Sequence, residues 1–231
     1  MKKLSTQEQK QLAAAVAVEF VENRMIVGLG SGSTSELAIR LLAEKVKAGL
    51  KIVGVPTSVT TEKLAKRLRI PVAGDFGSLK KVDLTIDGAD EVDPQLNLIK
   101  GGGGALTREK IVASRSERVI IIVDEKKLVR RLGKISLPVE VLPFGWRSTM
   151  EILRSFGARA KLREQKPDTP FRTDNGNYIV DCVFGKIKNP PSLAQQLKNI
   201  VGVVEVGLFV GRADLVVVGR SNGRVEEKWA A

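Results

Sequence analysis

An α/β fold, in which a helix-covered parallel sheet is joined by a smaller α+β domain, is predicted by three features of this sequence. Short apolar runs without polar alternation, such as Met25-Ile26-Val27 and Val119-Ile120-Ile121-Ile122-Val123, read as strands buried on both faces. Segments of helical period separate these runs, the order expected of strands joined by crossover helices. After Lys134 the texture changes to a β-α-β-β-α-β succession, the order of a split βαβ domain.

The first element is a helix. Ser5 followed three residues later by Glu8 is a capping box, and Leu12, Val16 and Phe20 recur at helical spacing beside Ala13 and Ala17. The strand Met25-Ile26-Val27 leads through Gly28-Leu29-Gly30-Ser31-Gly32-Ser33-Thr34, expected as a loop, into a helical pattern at Leu37, Leu41 and Leu42. A strand follows at Ile52 to Val55, a helix from about Thr60 to Leu68, a strand at Leu84 to Ile86, a helix around Leu106 to Ser114, and the strand Val119 to Val123. Period and order make this a Rossmann-like layer. In the second part the expected strands are Val139 to Leu142, Ala158 to Leu162, Tyr178 to Val183 and Val203 to Val206, with helices at Arg147 to Phe156 and Ser192 to Ile200. The apolar run Leu215 to Val218 is expected to return to the first sheet. The expected domains are therefore residues 1–134 with 208–231, Rossmann-like, and residues 135–207, an inserted ferredoxin-like domain.

Composition narrows the chemistry. A chain of 231 residues can build a large core without disulfides, and the lone Cys182 can form no intrachain bridge, which fits a reducing compartment. The sequence opens Met1-Lys2-Lys3-Leu4 and runs into the first helix with no apolar targeting stretch and no membrane-length span, so a cytoplasmic protein is expected, with no membrane partner. The net charge of +12 suits an anionic partner. Its basic residues are scattered, in short clusters such as Lys126-Lys127 with Arg130-Arg131, and aromatic residues are few, so nucleic acid is not the expected partner. The absence of histidine is the sharpest restriction. It removes the usual acid/base near neutral pH, the usual zinc ligand and every Ser-His or Cys-His dyad. Acid/base work must then fall to carboxylates and lysines.

Four segments can carry chemistry. Gly28 to Thr34 offers N–H groups and hydroxyls at a helix start, a site for phosphate or sugar hydroxyls, although a plain glycine turn fits the same residues. It is neither a Walker loop nor a full dinucleotide fingerprint, since no Gly-Lys-Ser/Thr follows and Ser33 closes it. Asp87-Gly88-Ala89-Asp90-Glu91-Val92-Asp93 directly follows a strand, so Asp87 and Asp90 are expected to face solvent in the crevice beyond the carboxyl ends of the sheet. Calcium-loop spacing fails there, with Ala89 and Val92 at positions that need an oxygen ligand and a glycine. Lys100-Gly101-Gly102-Gly103-Gly104 carries an entropic burden justified by close backbone approach to a ligand, with Lys100 as a neighbouring cation. Glu109, about one turn into the next helix, is by composition an ordinary surface glutamate; only its context promotes it.

Together with Leu106-Thr107-Arg108-Glu109-Lys110 and Asp124-Glu125-Lys126-Lys127, these motifs closely resemble type A ribose-5-phosphate isomerase, and the similarity runs on through Leu137-Pro138-Val139-Glu140-Val141, Thr173 to Asn177 and Gly207-Leu208-Phe209. The resemblance implies a Rossmann-like domain with a ferredoxin-like lid, a homodimer or homotetramer, and interconversion of ribose 5-phosphate and ribulose 5-phosphate in the pentose phosphate pathway without cofactor or metal. It implies that Ser31, Gly32, Ser33, Thr34, Asp87, Gly88, Ala89, Asp90, Lys100, Gly101, Gly102, Gly103 and Lys127 bind substrate. Glu109 matches the family's proton acceptor, and Asp87, Asp90 and Lys100 join it as catalytic candidates. Ser31 stands where many members have threonine and keeps the hydroxyl. The choice of Lys127 over Lys126 rests on spacing from Asp124. The competing reading is a sugar-phosphate-sensing regulator of related fold, which would normally carry an N-terminal helix-turn-helix where this chain has a single helix.

Overall fold

The computed structural model describes residues 3–230, so Met1, Lys2 and Ala231 lie outside the described residues. The chain divides into two compact units. One comprises the chain up to Ala89, Arg108–Lys127 and the chain from Arg212 onward; the other comprises Asp90–Thr107 and Leu128–Gly211.

The first unit is built on a six-stranded sheet in the order Val225–Trp229, Leu215–Gly219, Val119–Asp124, Leu84–Gly88, Ile26–Leu29, Val53–Pro56. Five strands are parallel and Val225–Trp229 runs antiparallel at one edge. The returning strand at Leu215 therefore sits where its apolar run requires, buried between two neighbours. The helix Thr6–Val18 starts at the capping box, with Ser5 Oγ accepting from the Glu8 N–H and Glu8 Oε2 accepting from the Ser5 N–H, a device contributing about 1 kcal/mol. Its alanine face, Ala13, Ala14 and Ala17, joins Ile39 and Leu42 of the helix Ser33–Lys47 and Leu64 of the helix Val59–Arg67 over the sheet residues Val27, Leu29, Ile86, Ile120, Ile122 and Val217. On the alternate sheet face, Val112 of the helix Leu106–Ser114 lies against Gly28 and packs with Val55.

Strand order reverses between Ile26–Leu29 and Leu84–Gly88: the chain leaves the first of these in one direction, forms Val53–Pro56, and returns to the other side. Such a reversal opens a crevice at the strands' carboxyl ends.

The second unit holds a fully antiparallel sheet ordered Val203–Val206, Leu137–Val141, Tyr178–Val183, Arg159–Leu162. The helices Trp146–Ser155 and Pro190–Lys198 pack Met150, Leu153 and Leu197 onto Val139, Val141, Val180 and Ala160, the ferredoxin-like arrangement. Cys182 is buried in this layer, and burial pushes its thiol pKa up to about 12. Two further pieces were not legible from periodicity: a three-stranded sheet ordered Leu208–Phe209, Leu98–Ile99, Glu91–Val92, and a hairpin of Glu164–Lys166 with Thr169–Pro170. Among the described residues no helix is long and apolar enough to cross a membrane.

Candidate active site

The glycine segment is shorter as a loop than its sequence implies. Gly28 and Leu29 belong to the strand and Ser33 opens the helix Ser33–Lys47, leaving Gly30, Ser31 and Gly32 as the connection. Gly30 packs directly on Asp87; a Cβ there would come 2.2 Å from Asp87 Oδ1 and 2.6 Å from its Cα. Gly32 has φ +90 and caps the helix without a side-chain hydrogen bond, so the first N–H groups of a fifteen-residue helix face outward beside the Ser33 and Thr34 hydroxyls.

Asp87 departs from expectation. It is 2% exposed instead of facing solvent, and its Oδ1 accepts from the Ser31 N–H (3.1 Å), the Ser35 hydroxyl (3.1 Å) and the Gly88 N–H (2.7 Å). Carboxylates buried this way persist because several donors replace the lost water. Asp87 thus ties the glycine connection to its own strand end. The Ser31 hydroxyl is also engaged by the protein, at 2.9 Å from Thr57 Oγ1 and 2.8 Å from Ser58 Oγ. Ser58 caps the next helix by accepting from the Thr61 N–H.

Glu109 sits in the first turn of the helix Leu106–Ser114 and is 5% exposed. The helix lies on the crossover leading to the parallel strand Val119–Asp124, so it runs antiparallel to the strands and its first turn reaches their carboxyl ends. Glu109 is one turn before Val112, on the same helix face. The face packed on Gly28 therefore brings a buried carboxylate to the sheet edge that holds Asp87. Lys127 closes the 3-10 turn Glu125–Lys127 after Val119–Asp124, at that same edge, and is half-buried where Lys126 is exposed.

In the second unit, Asp90 Oδ2 accepts from the Gly102 N–H at 2.8 Å. Lys100 is 4% exposed, its Nζ lies 5.5 Å from the ring centroid of Phe209, and its N–H donates to the Gly207 carbonyl at 2.9 Å. Gly101 and Gly104 take φ +103 and +81, conformations that disfavour side chains, whereas Gly102 and Gly103 are exposed. Ser31 with Asp87 are thus in contact within the first unit, which also holds Glu109 and Lys127; Asp90 with Gly102 are in contact within the second, which also holds Lys100. Sequence reasoning missed Lys10, whose Nζ donates to Ser33 Oγ at 2.9 Å and adds a cation at the helix start. Its only sequence signal is a lysine on an amphipathic helix, which most surface helices share.

Within the first unit, a buried glutamate at the open end of a parallel sheet and hydroxyls at an outward-facing helix start suit a small phosphorylated substrate with exchangeable carbon-bound protons; the second unit by itself holds a lysine beside a glycine run. The comparisons agree. The family model for ribose 5-phosphate isomerase A (phosphoriboisomerase A) matches residues 53–223. The ribose-5-phosphate isomerase A of Gloeobacter violaceus is 54% identical over 93% of this chain and 93% of its own, and that of Parvibaculum lavamentivorans is 49% identical over 95% and 97%. A solved D-ribose-5-phosphate isomerase in complex with phospho-erythronic acid superposes with a TM-score of 0.94 at 45% identity, over 98% of this chain and 100% of that one. The ribose 5-phosphate isomerase A of Methanocaldococcus jannaschii gives 0.92 at 39%, over 97% and 100%. Motifs, fold and near full-length similarity converge: the chain belongs to the ribose 5-phosphate isomerase A family.

Proposed function

We propose that this chain interconverts D-ribose 5-phosphate and D-ribulose 5-phosphate, the reaction of its family, with Glu109 as the single base that carries the proton. The regulator reading loses its ground, because the similarity to isomerases covers nearly the whole chain. The observation that carries the assignment of the base is the burial of Glu109 in the first turn of a helix whose start lies at the carboxyl edge of the sheet.

Aldose-to-ketose conversion removes the proton from C2 and returns it to C1 through an enediolate. One carboxylate within reach of both carbons suffices to carry the proton. Negative charge grows on the substrate oxygens, and Lys100 with the adjoining glycine N–H groups supplies the stabilising donors. The proton on the oxygens must also move. Asp90, whose Oδ2 takes one backbone N–H, keeps acceptor capacity for a substrate hydroxyl, while Asp87 holds the loop. The helix start at Ser33 and Thr34, with Lys10 and Lys127, takes the phosphate, and the net charge of +12 draws the dianion in. Phospho-erythronic acid, the acid bound by the solved relative, carries two oxygens on a planar carboxylate and so mimics an enediolate. The reading includes no metal or cofactor, a cytoplasmic homodimer or homotetramer, and a smaller domain spanning residues 135–207, for which sedimentation and limited proteolysis are the tests.

Glu109→Gln keeps the shape and cannot accept the carbon-bound proton. It is expected to lower kcat by about 100-fold or more with little change in KM, and to abolish exchange of the C2 proton with deuterated water. Wild-type exchange by this variant would assign the base to another residue.

A further inference from the structure

The ferredoxin-like sheet has two faces, and the one away from its helices is polar. Pro138, Glu140 and Asp181 alternate with the core residues Val139, Val180 and Cys182, and Asp181 pairs with Pro138 across the strands Tyr178–Val183 and Leu137–Val141. This face supports the segment that runs from Lys100 to Thr107. Asp181 binds Arg163 through both oxygens, at 2.8 Å to Nε and 2.5 Å to Nη2. Arg163 Nη1 then donates to two successive carbonyls, Gly101 O at 3.0 Å and Gly102 O at 2.9 Å. The Arg163 guanidinium also lies 5.8 Å from the Phe171 ring centroid, and that ring closes on Gly104, where a Cβ would come within 2.4 Å of it. At the far end of the segment the fully buried Glu140 accepts from the Thr107 hydroxyl at 2.5 Å and from Thr173 and Asn177 at 2.9 and 2.8 Å.

A trans peptide points its N–H opposite to its C=O, and the chain has no cis peptide among the described residues. Fixing the carbonyls of Gly101 and Gly102 on Arg163 therefore turns the N–H groups of Gly102 and Gly103 the other way. The first of these reaches Asp90 Oδ2. The Gly103 N–H has no acceptor among the described residues, and the space around Gly103 is open for at least 4 Å from where a Cβ would stand. A four-glycine run free in solution would sample many orientations, so donors aimed at one place need an external constraint.

We infer that Arg163, locked by Asp181, is the positioning residue that aims the Gly103 N–H at the oxyanion of the enediolate. It touches no substrate; it acts by holding peptide planes that would otherwise rotate. Lysine cannot replace it, because one ammonium does not combine a bidentate grip on Asp181 with bonds to two carbonyls. The inference rests on the oxyanion reading proposed above.

The test compares Arg163→Lys, Arg163→Ala and Asp181→Asn with the parent enzyme, each checked for thermal melting. Removing a preorganised oxyanion donor lowers kcat by roughly 100- to 1000-fold; a donor left in place but misaimed is expected to lose about 10- to 100-fold, with KM for ribose 5-phosphate nearly constant. Affinity for phospho-erythronic acid should fall in parallel with kcat/KM, and guanidinium ion should partly restore Arg163→Ala. If Arg163→Ala does not fold, Arg163→Lys and Asp181→Asn carry the same readouts. Unchanged kcat and unchanged affinity for the acid overturn the inference, as does a rise in KM alone. Failure here with the expected outcome for Glu109→Gln would remove Arg163 and leave the base assignment standing. Failure of Glu109→Gln would reach the reading beneath it.

Discussion

The two glycine-rich segments use the same residue for opposite reasons. At Gly28 and Gly30 glycine removes bulk. Strands Ile26–Leu29 and Leu84–Gly88 approach so closely that a Cβ at Gly28 would stand 1.9 Å from Thr85 Oγ1, and one at Gly30 would strike Asp87. The buried Asp87 carboxylate then takes the Ser31 N–H, so the protein itself consumes that donor. In the run from Gly101 to Gly104 the space around Gly103 is open, and Arg163 holds the carbonyls of Gly101 and Gly102, which turns the Gly103 N–H outward. The first segment is an anchor whose defects should appear in stability; the second is a donor array whose defects should appear in turnover.

Replacing the anchor glycine is the harshest way to break this contrast. Gly30→Ala forces a Cβ into Asp87 and its backbone, an overpacking worth about 3 kcal/mol, and the melting midpoint should fall by roughly 6–12 °C. Gly103→Ala meets open space and should stay within about 0.5 kcal/mol of the parent while turnover drops. Equal melting of the two variants, measured by calorimetry, would erase the distinction.

The aspartates sharpen it. Asp87→Asn weakens three donors converging on one buried oxygen and is expected to lower stability by about 2 kcal/mol along with activity. Asp90→Asn keeps an amide oxygen for the Gly102 N–H and is expected to lower kcat about tenfold or more at nearly unchanged melting. A normal kcat for Asp90→Asn would return that residue to a purely structural role.

The smallest expected effect is none. The chain has no histidine, and neither aspartate is read as a metal ligand, so exhaustive chelation should leave turnover where it was. Loss with EDTA, restored by a divalent ion, would require a different chemistry for both segments.

Much of this was legible beforehand. Continuous apolar runs located the strands Val119–Asp124, Leu84–Gly88 and Leu215–Gly219, and the capping box marked the first helix start at its true position. The edge strand Val225–Trp229 escaped because Glu226, Glu227 and Lys228 have no apolar rhythm, and the two-residue strands Leu98–Ile99 and Leu208–Phe209 are too short to have any. Asp87 was expected to face solvent and is buried, since burial is decided by Ser31 and Ser35 arriving from a distant part of the sequence. Arg163 carried no signal: a single arginine in a polar stretch gives no hint that two glycine carbonyls will reach it.

The pairing of Leu215–Gly219 along Val119–Asp124 has a consequence for biosynthesis. A ribosome must deliver residues 125–214 before the covering strand emerges. Until then the run Val119-Ile120-Ile121-Ile122-Val123 keeps one open hydrogen-bonding edge, a template for pairing with any other extended chain nearby. The second unit's long segment, Leu128–Gly211, is meanwhile complete and free to fold first. The nascent chain therefore carries this open edge until the last stretch of synthesis, and a chaperone that shields one hydrophobic strand through that interval would raise the yield of folded enzyme.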